Sequence, residues 1–153
     1  MVRRMEVHVT LVEVLSDARR RDAVIRDSET LLEQEVRSKR GLSGAAVRTG
    51  FKTMKKIQPG IVPRALGVLL PEFAPVVDPH YAKAVASGDV RAHFTAHADT
   101  IADDMLKVTD ARAARADNRV MKRVYSTLRP QARKHVAMAM PGLADLCLKH
   151  VGT

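Results

Sequence analysis

Residues 38–56 read SKRGLSGAAVRTGFKTMKK, and the reading of this stretch decides the fold. As a phosphate-gripping loop it would sit between a strand and a helix and imply an α/β sheet. As a joint between two packed helices it implies an all-α chain. A nucleotide P-loop needs Lys-Ser or Lys-Thr after its last glycine and a strand before its first. Here Ala45 and Ala46 follow Gly44, and the preceding residues are helical in pattern: Val24, Ile25, Leu31, Leu32 and Val36 recur at three-four spacing. The joint reading accounts for each residue. Gly41 takes the left-handed position that ends one helix. Leu42 reaches back to Val36 and forward to Val47, and Ser43 caps the helix that follows.

Working outward, the helix entering the joint runs from about residue 20 to 39. The helix leaving it runs from Ser43 to about Ile57, with Val47, Phe51, Met54 and Ile57 on one side and Gln58-Pro59-Gly60 as its stop. Ile61, Val62, Ala65, Leu66, Leu69, Leu70 and Phe73 form the most apolar helix, which Pro71 and Pro75 are expected to break or kink. Residues 76–88 then read as a connection. Asp89 caps a helix carrying Phe94, Ile101, Met105, Leu106 and Val108, and ARAARAD after Asp110 reads as its end. A helix through Val120, Val124 and Leu128 is expected to stop at Pro130. Another, through Ala132, Val136 and Met140, is expected to stop at Pro141, ahead of a short last helix through Leu143, Leu146 and Cys147. Ahead of all these, Val7, Val9 and Leu11 alternate as in a strand. A short helix begins near Thr10.

The totals agree with this pattern. A chain of 153 residues, 46% hydrophobic, is long enough for one domain with a core. Aromatics make up only 3% and there is no Trp, so the core is aliphatic. The expected architecture is therefore an all-α, single-domain helical bundle of six to eight helices over residues 1–153, with an N-terminal arm at 1–9. Its expected core is Leu31, Leu32, Val36, Phe51, Met54, Leu66, Leu69, Leu70, Phe73, Ile101, Met105, Val124, Leu128 and Val136. A single Cys allows no internal disulfide, no segment reads as a signal peptide, and no run approaches the length of a membrane span. The expectation is a cytoplasmic protein.

Charge is distributed in blocks. Residues 1–35 carry net −2, 36–71 net +8, 72–110 net −4 and 111–153 net +7. An offset of 70 residues pairs Thr30-Leu31 with Thr100-Ile101 and Pro71 with Pro141, so that 20–76 and 90–146 are candidate pseudo-repeats, the alternative being two helical pairs punctuated by the same breakers. Arg48, Lys52, Lys55 and Lys56 fall within an arc of about 100° on one basic helix, as Arg119, Lys122 and Arg123 do on the other. If those helices are neighbours, they form one positive face for nucleic acid or another polyanion, or for an acidic membrane or protein. The alternative is that these cations are solvated or pair with Glu29, Glu33, Asp99, Asp103 and Asp104. No aromatic platform, zinc pattern or RNA-recognition signature supports base reading. The helix start at Ser43 and Gly44, beside Arg37, Lys39 and Arg40, is a candidate anion site.

Evidence of catalysis is sparse. His93 and His97 stand four apart, with Asp89 and Asp104 near in sequence, and are the candidate metal ligands. His135 and Cys147 would need a tertiary encounter to act as a base and thiol pair. No cofactor is implied, and the favoured reading is a non-catalytic helical binding or scaffolding protein, self-association included.

The strings EVRSKRGLSGAAVRTGFKTMKKIQPGIV, LLPEF, VTDARAARAD, KRVYSTLR and ARKHVAMAMPGL resemble a small family of uncharacterised actinobacterial proteins, over most of residues 11–150. The resemblance implies an intracellular helical protein and carries no activity or catalytic residue.

Overall fold

The computed structural model describes residues 9–151. Among them are eight helices and no strand: α1 (Leu11–Ser16), α2 (Ala18–Ser38), α3 (Gly41–Ile57), α4 (Ile61–Ser87), α5 (Val90–Ala96), α6 (Ala98–Arg115), α7 (Arg119–Met138) and α8 (Met140–His150). The alternation at Val7 lies outside the described residues, as does all but the end of the arm at 1–9.

Short polar side chains set half of the starts. Thr10 accepts from the Glu13 amide, Asp17 from Arg19 and Arg20, Asp89 from Ala92, and Asn118 from Val120 and Met121. The two exposed amides of α1 are held across the fold: Leu11 and Val12 donate to the Asp78 carboxylate at 2.8 and 3.2 Å.

The central element is α4, which packs against α1, α2, α5 and α6, while α8 closes over α5 and α2. The core gathers Leu11, Val14 and Leu15 from α1, Val24 from α2, Leu70, Ala74 and Val77 from α4, Phe94 from α5, Ile101 from α6, and Met140 and Cys147 from α8. Of the expected core, Val36, Leu70 and Ile101 are buried. Leu31, Leu32, Phe51, Met54, Leu69, Val124 and Leu128 are only half-buried.

The breaks expected at Pro71, Pro75 and Pro130 do not occur. α4 is one helix of 27 residues that passes through Pro71, Pro75 and Pro79, so residues 76–88 are no connection. α7 likewise passes through Pro130. Pro71, Pro75 and Pro79 are four apart and all exposed, so the carbonyls they leave unpaired face water. The residue before each proline, normally pushed out of helical geometry, is held inward. Leu70 and Ala74 are in the core, and Asp78 binds α1. Arg129, ahead of Pro130, is held by a bidentate pair with Asp110 at 2.8 and 3.1 Å. The segment ARAARAD holds the end of α6, as expected: the helix runs to Arg115 and Ala116 is its C-cap.

The joint is also built differently from its expected form. Gly41 is left-handed as expected, with φ 74°. Leu42, however, is 93% exposed and clamps neither helix, and Ser43 caps nothing, because α3 begins at Gly41 with no side-chain cap. The closing element is Lys39, whose side chain is 3% exposed. Its ammonium donates to Glu35 Oε2 at 3.2 Å and to the His135 carbonyl at 3.3 Å, at the C-terminal end of α7 where helix carbonyls favour a cation. Arg48 donates to the Lys39 carbonyl. Gly44 admits this packing, since a Cβ there would lie 2.7 Å from the Lys39 carbonyl carbon.

Candidate functional site

The two basic helices are neighbours, and α3 and α7 run antiparallel. Lys39, just ahead of α3, meets His135 near the end of α7, while Gly50 in mid-α3 faces Leu128. Neither helix contains an acidic residue. Between them runs an open groove of about 460 Å³, with a floor of Ala45, Ala46, Thr49 and Gly50 on one side and Val124 and Leu128 on the other. Thr53, Arg123 and Thr127 complete it. Gly50 gives the groove its depth, for a Cβ there would come within 2.9 Å of the Leu128 side chain.

These are the helices that bury least. The only fully buried residue of α3 is Gly44, and that of α7 is His135. Stepping about 100° per residue, Leu42 and Ile57 fall on the groove face of α3, and Val120 and Met138 on that of α7. All four are exposed, Val120 and Met138 by about half. Because the helices are antiparallel, Leu42 lies toward Met138 at one end and Ile57 toward Val120 at the other. The groove thus continues as an apolar strip in both directions.

The basic residues divide into two sets. Arg48 is used in the joint. Lys55 pairs with Glu33 at 3.2 Å and sits 5.1 Å from the centre of the Phe51 ring. Arg129 and Arg133 tie α7 to α6 through Asp110 and Asp103, at 2.8 and 2.9 Å. Tyr125 donates to Asp110 as well, and the Arg129 guanidinium followed by this hydroxyl holds the Asp110 carboxyl below the usual carboxylate range. By contrast, Lys52, Lys56, Arg119, Lys122, Arg123 and Lys134 are exposed and make no ion pair among the described residues. By helical spacing Lys52, Lys56, Arg123 and Lys134 flank the groove. Lys122 points about 170° away from the groove midline on α7. Charge counting along the sequence finds the cations but not the groove, whose signal is the run of small residues at 45, 46, 49, 50 and 53. Lys134 belongs with the flanking set for the same reason of helical phase.

The remaining candidates are dispersed. Ser43 and Gly44 lie in the first turn of α3, where Gly44 is packed on Lys39. The His93 and His97 rings lie 4.3 Å apart, and His80 is bound to Asp104 at 2.7 Å. Among the described residues no group of three or more His, Cys, Asp or Glu could hold a metal ion. Burial, then His97, His80 and Lys83, lower the proton affinity of His93. Cys147 is inside the core, and burial pushes its thiol up to about 12, so it stays protonated at neutral pH. His135 is buried with neither ring nitrogen partnered. No single helix among the described residues is long and apolar enough to cross a membrane. α3 and α4 together reach that composition, but they bend by 105° where they meet.

The chain belongs to a family of unknown function, DUF6918, whose model matches residues 11–151. No curated protein and no solved structure matches it.

Proposed function

We propose that this member of the family is a non-catalytic binding protein that engages an anionic partner through the face formed by α3 and α7. The observation that carries this reading is the pairing of an apolar groove with cations that make no ion pair among the described residues, on two helices that contain no acid. Away from the groove the chain does neutralise its charge, as between Glu72 and Arg112 and, on the α6 side of α7, between Asp110 and Arg129 and between Asp103 and Arg133. Cations left side by side repel one another, and an anionic ligand relieves that repulsion with a strong dependence on salt. The chemistry elsewhere supports a role in binding: the one thiol is protonated and enclosed, and the buried imidazole has no acid to orient it.

Retention on immobilised heparin tests the reading. The wild-type chain should bind and elute with moderate salt. Lys52→Glu with Lys56→Glu should elute far earlier. Arg19→Glu with Arg37→Glu, an equal change of charge on α2, should elute nearly as wild type. Equal shifts in both double variants would mean that net charge alone is responsible, and the reading would fail.

A further inference from the structure

The α3–α7 groove has a shape as well as a charge, and the shape narrows the class of partner. Its floor is methyl and methylene, contributed by Ala45, Ala46, Thr49, Val124 and Leu128. A sugar-phosphate backbone laid there would lose hydration over methyl groups and find donors only at the Thr49 hydroxyl and along the rims. Small residues between two antiparallel helices instead admit the close approach of a third, at the roughly 8–10 Å axis separation of packed helices. The apolar strip from Leu42 to Ile57 spans 15 steps, or about 22 Å at helical rise, which matches about four turns of a partner helix. Lys52 and Lys56 on one rim, with Arg123 and Lys134 on the other, would meet carboxylates on both edges of such a helix. A second copy seated by a two-fold axis would set these cations against themselves.

We propose that the groove docks an acidic amphipathic helix of a partner protein, with its aliphatic stripe on Ala45, Ala46, Thr49 and Gly50 and its carboxylates against Lys52, Lys56, Arg123 and Lys134. This rests on the reading that the α3–α7 face is where the chain binds. The mode is helix-in-groove recognition, with anchors at positions i, i+3 or i+4, and i+7 of the partner. Leu42, Ile57, Val120 and Met138 are exposed because they wait for that stripe.

The test uses the full chain and a synthetic 18-residue peptide with leucines at alternating three and four spacing and glutamates on both flanks. Calorimetric titration should show binding that weakens with salt, and a peptide of the same composition with its leucines scrambled should bind at least tenfold more weakly. Arg123→Glu should weaken binding about tenfold, whereas Lys122→Glu, one residue away on the far face, should change it less than twofold. Thr49→Trp, at an exposed position, fills the groove without changing charge and should abolish binding. Equal affinity for the scrambled peptide would overturn the proposal. So would an 18-nucleotide DNA strand that binds through Arg123 while the peptide does not, which leaves the anionic-partner reading standing. Binding of neither probe sinks both. Sedimentation showing a dimer that Thr49→Trp dissociates would assign the groove to a second copy and overturn the proposal as well.

Discussion

At the joint between α2 and α3, the ammonium of Lys39 is held by Glu35 and the His135 carbonyl, while Gly44 packs on the Lys39 backbone. The contact with Gly44 is backbone against backbone, so little can give. Gly44→Ala is expected to cost about 1–3 kcal/mol in urea denaturation, the range for overpacking, despite the better helix propensity of alanine. His135 makes a second demand on the same site. Burial, then Lys39 and Lys134, lower its proton affinity below the ordinary imidazole value of 6.5. The unfolded chain therefore takes up a proton at higher pH than the folded one. Stability is complete above that ordinary value and falls as pH drops through it. His93 acts in the same sense from α5. His135→Leu removes two unpartnered ring nitrogens and one of these titrations. It is expected to raise stability by about 1 kcal/mol at neutral pH and to flatten, without abolishing, the loss on acidification. A variant whose acid limb keeps its full slope would show that His135 is not the group responsible.

Among the elements, α4 carries the largest tension between local preference and tertiary packing. Pro75 withholds an amide from the Pro71 carbonyl on the solvent face, and nothing in the core requires its ring. Pro75→Ala restores that hydrogen bond, although it also frees the unfolded chain. The expected net gain is roughly 1–2 kcal/mol, read as a shift in denaturation midpoint with an unchanged slope. A loss would mean that the Pro75 ring is itself needed for packing. The same tension explains which parts of the fold were legible in the sequence. Helix starts at Thr10 and Asp89 are written in short polar side chains, and apolar spacing marks α2, α3 and α6. Pro71, Pro75 and Pro130 signal breaks or kinks in the sequence, because the groups that hold Leu70, Ala74, Asp78 and Arg129 helical come from distant elements. The site was legible in charge and not in relief. Spacing shows that Val124 and Leu128 share an apolar face, but whether another helix covers that face is settled by the packing of the whole chain.

Across the whole molecule, burial is lopsided. α1, α2, α4, α5, α6 and α8 share the core, whereas α3 and α7 form an outer layer attached by Lys39, the Lys55–Glu33 pair, the Arg129 and Arg133 bridges to α6, and Val136 and Ala137 at the end of α7. A layer with so little buried apolar surface opens at a lower free energy than the core it covers. Hydrogen exchange read by mass spectrometry should therefore rank the helices: amides of 41–57 and 119–128 fastest, and those of 94–106 and 143–150 slowest. Because several of the attachments are exposed ion pairs, raising salt should speed exchange in the outer layer and leave the core unchanged. The acidic peptide stabilises only the closed layer, so its addition should slow exchange across 41–57 and 119–138 in proportion to its occupancy, with no effect beyond them. Core-like protection of α3 in the free chain would mean that the layer is already sealed. Its exposed leucine, isoleucine, valine and methionine would then be ordinary surface, with no missing helix to cover them.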